Sequence, residues 1–457
     1  MHRIALVPMV LTGFVASLAL AQAPTNAGER SNPRRLVIKV IAAPSFDGAT
    51  VSTSVDAPLV QAGDYRLTAK IDADSFELCL PGTTLPAELT VAWSPRVRQT
   101  FSLASPELAA AVKPNADGSL RVDLRLGHAG VSLPSGPIPP NEPGFAGRFG
   151  GRAAARAIDG ELPALVSAAD RGLAWLVAEQ RVDGAWNGVT SNPPRATEGD
   201  CLATAAACLA LLANGSTFKS GPHRTSLQRG LCWLVEHTDA KTGRVSPPSP
   251  FAPLEEQAFT ALTLSEAFGL ASFRPLRDPA RDATLALGAM LGDEHVSDRR
   301  DAGALGFTAM ALVSARQFLR VSGDALTRAV IELEGGSLEV APLRDAAAML
   351  VGFFVDDPGL TAIERRTPNL LANLPERGAN LDATYVYFAT YALYQAGQPV
   401  WTEWTDSLKK NLPGAQVQGG DLDGSWAPGD PRAQMRGRAW TTAMRLLTVQ
   451  CFLRFAR

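Results

Sequence analysis

Two hydrophobic periods divide this chain of 457 residues, and the change between them falls near residue 131. Before it, over residues 34–130, short segments alternate apolar with polar residues or gather β-branched ones, and Gly, Pro, Asp and Asn separate them. A period of two is typical of strands with one buried face. We therefore expect a small all-β sandwich at 34–130, followed at 131–160 by a linker rich in Pro, Gly and Arg.

Helical periods replace the strand pattern from residue 161 to residue 457. Every second segment consists almost wholly of small and apolar residues, whereas the others are charged along one side. A helix that is apolar all round is buried and an amphipathic one faces water, so each pair predicts a hairpin of one outer and one inner helix. Twelve segments are predicted, with turn or cap signals between many of them, at 163–179, 199–213, 223–237, 254–268, 279–291, 301–320, 324–333, 343–355, 360–373, 381–395, 399–411 and 438–455.

The predicted fold class is therefore mostly α, with six helical hairpins closed into a double ring, an α6/α6 toroid, after the small all-β sandwich. Recurrence of one element indicates internal repeats, which need their neighbours to bury a continuous core. A Thr-centred element recurs on the inner helices, at Thr204, Thr260, Thr308, Thr390 and Thr442.

One half-helix occurs twice in the chain. "RGLAWLV" begins at Arg171 and "RGLCWLV" begins at Arg229, but only the first copy continues to the ending Q-x-x-D-G-x-W. The second copy keeps Trp233 without that ending, and "DGSW" restores Gly424 and Trp426 near the end of the chain. The motif positions are Arg171, Gly172, Trp175, Gln180, Asp183, Gly184, Trp186, Gly424 and Trp426.

This motif resembles the QW motif of squalene and oxidosqualene cyclases, a family that shares an α/α toroid with the β subunits of protein prenyltransferases. The resemblance covers residues 145–457, and the last repeats are similar to those of exported bacterial proteins of this superfamily. It implies the toroid fold. Gln and Trp of such a motif tie loops to helices and do not touch substrate, so the resemblance leaves the chemistry open.

The sequence lacks the residues that cyclase chemistry requires. A squalene-type cyclase protonates an alkene with an Asp of D-x-D-D, a motif that the chain does not contain, and Asp421 and Asp423 belong to a predicted turn. Aromatic side chains hold carbocations in such cyclases, but they make up only 7% of this chain. The single aromatic cluster runs from Tyr385 to Tyr394, and core packing explains it as well as a ligand does.

The sequence also lacks the residues that prenyltransferase and thioester chemistry require. Prenyltransferases bind zinc through Asp, Cys and His, but Asp200 and Cys201 are adjacent, so on a helix they point about 100° apart and cannot easily share one ion. Complement-type thioesters need G-C-G-E-Q, and no cysteine has that context. We therefore expect neither a metal nor a cofactor.

Charged residues gather at the predicted starts of the inner helices, which in a toroid surround one mouth of the ring. Carboxylates there gain about 0.3–1 kcal/mol each from the macrodipole, so a structural role explains them. Arginines at a helix start need an acid or an anionic ligand, and we expect Glu198 or Asp200 to pair with Arg436 or Arg438. The candidate ligand-binding residues are Glu198, Asp200, Glu255, Glu256, Asp301, Arg344, Asp345, Asp382, Tyr385, Arg436, Arg438 and Trp440.

The N-terminus has the pattern of a secretory signal peptide over residues 1–23. A positive charge at Arg3 precedes the apolar run 4–20, and small residues allow cleavage after Ala21 or Ala23. The net charge of −2 gives no basic field for nucleic acid, and no other stretch is long and apolar enough to span a membrane. We expect an exported protein, periplasmic or extracellular, with buried and inert cysteines.

Two functions remain open from the sequence. The first is a binding or scaffold module without cyclase chemistry, which holds a small molecule, a glycan or a peptide in a central cleft, or contacts a cell-envelope protein. The second is a divergent enzyme that uses carboxylates at the ring mouth, like a polysaccharide lyase, a hydrolase or a terpenoid cyclase. An enzyme needs a deep pocket in which two carboxylates converge, one with a raised pKa. A scaffold needs a filled centre and a binding surface elsewhere.

Overall fold

The computed structural model describes most of the chain beyond residue 34. The predicted signal peptide, nearly all of the predicted linker and Glu198 lie outside the described residues. The described ranges are 35–42, 49–54, 70–72, 75–81, 84–127, 130–132, 163–188, 199–249, 252–293, 301–319, 321, 323–335, 341–355, 359–375 and 382–454.

Strands occupy the N-terminal part, as the alternating pattern predicts. In chain order they are β1 (Arg35–Ala42), β2 (Thr50–Ser54), β3 (Lys70–Asp72), β4 (Ser75–Pro81), β5 (Glu88–Ala92), β6 (Arg98–Ser102), β7 (Lys113–Pro114), β8 (Leu120–Gly127) and β9 (Gly130–Ser132), with the short helix α1 (Pro106–Ala110) before β7.

The strands form two sheets that share one apolar core. The larger sheet has the order β3-β4-β1-β8-β7, with β9 beside β8, and the smaller sheet has the order β2-β5-β6. Within the larger sheet β1 runs antiparallel to β4 and parallel to β8. Alternate residues of each sheet turn inward, so Leu36 and Ile38 of one sheet join Leu89 and Val91 of the other in one buried cluster.

Helices make up the remainder, and the expectation of a mostly helical chain behind a small β part is confirmed. They are α2 (Pro163–Glu179), α3 (Asp200–Ala213), α4 (Arg224–Glu236), α5 (Pro253–Ala271), α6 (Arg277–Met290), α7 (Ala302–Phe318), α8 (Asp324–Gly335), α9 (Ala341–Val355), α10 (Gly359–Leu371), α11 (Ala383–Ala396), α12 (Val400–Asn411) and α13 (Pro431–Arg454). None of the helices in the described part of the chain is long and apolar enough to cross a membrane.

The six helices made of small and apolar residues, α3, α5, α7, α9, α11 and α13, contact one another in a cycle, and we call them the inner helices. Each packs against the next one along the chain, and α13 packs in turn against α3. The amphipathic helices α2, α4, α6, α8, α10 and α12 pack on this set from outside, and we call them the outer helices. Trp175 and Trp233 of α2 and α4 are buried, as their place in the repeat predicts.

Trp186 ties the first hairpin to the second. Its Nε1 donates to the carbonyl oxygen of Leu176 (2.6 Å), and its backbone N–H donates to Oγ1 of Thr204 (3.0 Å). Its ring packs directly on Gly230 of α4, where a Cβ atom would lie 2.9 Å from the indole. Because such a contact leaves no room for a side chain, the second R-G-L copy keeps its glycine.

Trp426 makes the same set of contacts with the first outer helix. Its Nε1 donates to the carbonyl oxygen of Leu412 (3.0 Å), and its backbone N–H donates to Oγ1 of Thr442 (3.1 Å). Its ring packs on Gly172 of α2, where a Cβ would lie 2.8 Å away. Gln416 adds hydrogen bonds to the carbonyl oxygens of Ala168 (2.8 Å) and Gly424 (2.7 Å). The last repeat is therefore bound to the first as the first is bound to the second.

Aromatic side chains fill the space between inner helices that are not neighbours in the cycle. The rings of Phe307 on α7 and Phe388 on α11 lie 4.8 Å apart between centroids, although α9 stands between these helices along the chain. Phe259 of α5 lies 4.3 Å from Phe307. Tyr387 of α11 donates from its hydroxyl to Sδ of Met310 on α7 (3.9 Å). Described side chains of α5, α7 and α11 are therefore in contact with one another between these helices.

Candidate functional site

Acidic side chains converge where α3 and α5 begin. Asp200 is buried; its Oδ2 lies 2.5 Å from Nη1 of Arg181, and its Oδ1 accepts from the backbone N–H of Gly188 (2.8 Å). Glu256, in the first turn of α5, is 1% exposed, and its Oε2 accepts from the N–H of Ser249 (2.6 Å). The polar partners of both carboxylates are groups of the protein itself, so the protein holds both side chains in place.

Glu256 is the acid with the most unusual environment at the mouth. Burial, followed by the charges of Asp200 and Glu255, raises its pKa to about 7, although backbone N–H groups of Ser249 and Leu202 favour the charged form. Half of the Glu256 side chains therefore carry a proton near neutral pH.

Replacing this acid is expected to change how stability depends on pH. Since the pKa of Glu256 rises from 4.5 in the unfolded chain to about 7 in the folded one, the folded protein loses stability between these pH values, by roughly 3 kcal/mol in total. Glu256→Gln removes this loss, so the difference in free energy of unfolding, variant minus wild type, should grow by about that amount from pH 4.5 to pH 8. Denaturant unfolding across this range measures it. Curves that stay parallel would show that Glu256 titrates normally.

Glu255 forms a buried ion pair with an arginine from the far end of the chain. Its Oε2 contacts Nη2 of Arg436, and the two side chains are 1% and 7% exposed. The guanidinium of Arg436 also lies over the ring of Trp440, 5.3 Å from the centroid, an arrangement typical of cation–π attraction. α5 and α13 are not neighbours in the cycle of inner helices, so this pair joins two helices that do not follow one another in it.

A second arginine of α13 forms an ion pair of the same kind. Arg432 lies 3.0 Å and 2.6 Å from the two carboxylate oxygens of Asp301, which also caps α7 by accepting from the N–H of Ala304. Burial opposes the charge of Arg432, but Asp301, Glu255 and Asp382 together raise its pKa above the ordinary value. Asp382 caps α11 through the N–H groups of Thr384 and Tyr385.

The first turns of α13 form a separate piece over the mouth. Gly437 has φ 81° and ψ 176°, so the helix from Pro431 is interrupted before its inner-helix part begins at Arg438. Glycine reaches such a positive φ without strain. Arg432 and Arg436 belong to this short piece, and they form ion pairs with the acids of α7 and α5.

The remaining candidates lie apart from these ion pairs. Asp345 accepts from Nδ2 of Asn369 (2.7 Å), and the hydroxyl of Tyr385 donates to the carbonyl oxygen of Leu370 (3.0 Å), so both side chains turn to the outer helix α10. Burial raises the pKa of Tyr385. Arg344 is half-buried on α9, and its Nε has no hydrogen-bond partner among the described residues.

The expected pairing of Asp200 with an arginine of α13 is wrong, and Glu198, the alternative partner, lies outside the described residues. Asp200 binds Arg181, a residue of the QW-type turn, instead of an arginine of α13. Arg436 binds Glu255, and Arg438 donates from Nη1 to Oγ of Ser425 (3.0 Å). The expectation failed because the ion pairs of α13 join it to α5 and α7 and not to α3. Sequence reasoning also missed Arg432, which lies before the predicted start of the last inner helix at 438.

The DLDG segment is a structural turn, as its sequence indicates. Oδ1 of Asp423 accepts from the N–H of Gly419 (2.6 Å) and lies 2.8 Å from Nη2 of Arg171 on α2. These contacts hold the pKa of Asp423 below its usual value. An acid held ionised in this way cannot protonate an alkene. No group of three His, Cys, Asp or Glu side chains among the described residues could hold a metal ion.

An open cavity of about 460 Å³ lies outside the ring, where the β part meets α4. We call it the junction cavity. The turn after β5 supplies Trp93, the QW-type turn supplies Asp183, and α4 supplies Arg229 and Trp233. Trp93 packs against the apolar cores of both parts of the chain.

Contacts around the junction cavity fix the β part on the helices. The carboxylate of Glu236 on α4 accepts from Oγ of Ser94 (2.8 Å) and from the N–H of Arg96 (2.9 Å). Trp93 packs edge-on against Phe218 and Phe273, with centroids 5.4 Å and 4.9 Å away. The walls of the cavity are therefore held in place from both sides.

Comparison with known proteins gives no family. No family model matches the chain, and no curated protein matches it. Among solved structures the chain is similar to one described as a novel alpha-amylase from Clostridium perfringens, at 11% sequence identity and a TM-score of 0.44, covering 63% of this chain and 97% of that one. At this TM-score the similarity assigns neither a family nor a reaction.

Proposed function

We propose that this protein is an exported binding module without cyclase chemistry, built as an α6/α6 toroid of the squalene-cyclase and prenyltransferase type behind a small β-sandwich. The toroid is supported by the cycle of contacts among the inner helices. It is supported further by the matched ties of Trp186 to α4 and of Trp426 to α2. The export signal rests on the sequence pattern of residues 1–23.

The observation that carries the binding role is the cavity between the β part and α4, among the described residues. Among the inner helices the ring of Phe307 contacts those of Phe259 and Phe388, and arginine–carboxylate pairs join α13 to α5 and α7. The junction cavity has the volume of an ordinary small-molecule site and lies between two parts of the chain, a common place for ligands. We assign the ligand site to the junction cavity.

The absence of cyclase chemistry has a direct test. Incubation with squalene or a similar polyprene is expected to give no cyclic product, because the sequence lacks D-x-D-D and Asp423 is held ionised by the N–H of Gly419 and by Arg171. Product analysis by gas chromatography, with an active cyclase run in parallel, measures this. Turnover that Asp421→Asn or Asp423→Asn abolishes would contradict the proposal.

A divergent enzyme is the second candidate, and Glu256 is the observation that favours it. Its raised pKa beside Asp200 and Glu255 is the property of a general acid. Such an enzyme would act on a substrate that reaches the mouth, as a polysaccharide lyase or hydrolase does. Glu256→Gln should then abolish cleavage of an acidic polysaccharide while Asp278→Asn, an exposed change on α6, leaves it intact.

A further inference from the structure

We propose that the junction cavity binds a sugar acid, with Arg229 holding its carboxylate. The inference rests on the proposed binding function and names the ligand class for that site. Three properties of the cavity wall carry it: a cation bound only to carbonyl oxygens, carboxylates that accept hydrogen bonds, and indole rings.

Arg229 supplies the positive charge. Its Nη2 donates to the backbone carbonyl oxygens of Arg181 and Val182, the latter at 3.0 Å, and these are its only side-chain partners within the described part of the chain. Neutral carbonyl groups orient the guanidinium without neutralising it. Arg181, by contrast, is shared between the carboxylates of Asp183 and Asp200. Arg229 is therefore the arginine of this wall that can bind a ligand carboxylate, through N–H groups other than those of Nη2.

Carboxylates of the same wall supply acceptors for hydroxyl groups. Asp183 lies in the QW-type turn and Glu236 lies at the end of α4, and the side chains of both are exposed. An ionised carboxylate accepts hydrogen bonds and donates none. A ligand that meets both Arg229 and these acids must thus carry a negative group and, elsewhere, hydroxyl donors.

Aromatic rings supply the apolar surface. Trp93 is partly exposed at the cavity and offers an apolar face with few rotatable bonds. Trp233 is buried and stacked on His237 with the ring centroids 3.6 Å apart, so it supports the wall and leaves Trp93 as the indole that a ligand contacts. The C–H face of a sugar ring can pack on this surface. The hydroxyls of the sugar can donate hydrogen bonds to Asp183 and Glu236, and a uronic carboxylate can pair with Arg229. A polyprene lacks partners for the charged groups, and a neutral sugar lacks one for Arg229.

Calorimetric titration with matched sugars tests the proposal. The probes are galacturonate and glucuronate, their neutral counterparts galactose and glucose, and short oligogalacturonate, which separates a free sugar acid from an acidic polysaccharide as the source. The sugar acids should bind at least about tenfold more tightly than the neutral sugars, because a charge-assisted contact is lost in the latter.

Variants of Arg229 test whether this residue causes the preference for sugar acids over neutral sugars. Arg229→Gln should remove the preference for the acids, Arg229→Lys should retain part of it, and Arg244→Ala, a change at an exposed arginine outside the cavity, should retain all of it. Unfolding midpoints close to wild type would show that the variants are folded. Equal binding of acids and neutral sugars, or a preference that survives Arg229→Gln, would overturn the proposal. If no sugar binds but the protein carries another ligand that Arg229→Gln or Trp93→Ala releases, the ligand class is wrong while the binding function stands.

Discussion

Glu255→Gln is expected to destabilise the folded protein by about 3–5 kcal/mol, since it leaves the guanidinium of Arg436 buried without its counter-charge. The two side chains are 1% and 7% exposed, so water cannot replace the lost carboxylate. The pair joins helices that are not neighbours in the cycle, and its loss should loosen the short piece of α13 before Gly437. Equilibrium unfolding in urea measures the cost.

An exposed ion pair provides the matched control. Asp278 and Arg281 on α6 lie 3.2 Å apart with side chains that are 70% and 45% exposed. Asp278→Asn should cost only about 0–1 kcal/mol. If Glu255→Gln costs no more than this control, the mouth is hydrated and open, and the assignment of the ligand to the junction cavity loses its basis.

Trp426→Ala is expected to cost about 3–5 kcal/mol, the range for truncating a large buried aromatic side chain. The indole is 2% exposed, fills the space over Gly172, and donates to the carbonyl oxygen of Leu412. Because these contacts join the last repeat to the first, the loss should reach α2. Hydrogen exchange should then show faster opening of the first outer helix as well as of α13.

Two other substitutions serve as comparisons for Trp426→Ala. Trp186→Ala should cost a similar amount, because Trp186 makes the matching contacts with α4, but it should affect α4 instead of α2. Leu422→Ala, at a 40% exposed position of the same turn as Trp426, should cost little. A cost for Trp426→Ala near that of Leu422→Ala, or exchange in α2 that stays unchanged, would show that the ends of the helical part are not joined.

Helix positions could be predicted from the sequence because local chemistry sets them. The small and apolar composition of "CLATAAACLALL" predicts a buried helix over 199–213, and α3 spans Asp200–Ala213. Asp301 and Asp382 cap α7 and α11 with their side chains, so the residue that starts each helix is visible in the sequence. α13 differs because a short helical piece from Pro431 precedes Gly437, whereas the pattern predicts only the helix at 438–455.

Contacts across the ring could not be predicted, since they depend on which helices face each other. Gln257 is an example: its Nε2 donates to the carbonyl oxygens of Gly243 and Ala283, both at 2.9 Å, and its Oε1 accepts from the N–H of Val245. Gln257 thus has the same hydrogen-bonding role in the second hairpin as Gln180 has in the first, where the side-chain amide donates to two backbone carbonyl oxygens. Gln257, however, lies on the inner helix. The motif in the second repeat therefore looks incomplete in sequence although its hydrogen bonds are present.

The recurring threonines are visible in the sequence, but only the structure shows what they bind. Thr204 and Thr442 accept from the backbone N–H groups of Trp186 and Trp426, and Thr390 accepts from Nε1 of Trp404 (3.0 Å). Their spacing predicts a repeat, whereas their partners lie on other elements. The junction cavity was missed for the same reason, because its walls come from a β turn, a QW-type turn and α4.

Native mass spectrometry of protein recovered under non-denaturing conditions from cells that produce it naturally tests the location of the ligand most directly. The wild type and Glu256→Gln, a change at the mouth, should both carry the same bound mass, and Arg229→Gln and Trp93→Ala should each release it. A wild type without any bound mass, or a mass that Glu256→Gln releases and the two cavity variants retain, would contradict the binding site at the junction of the β part and the helices.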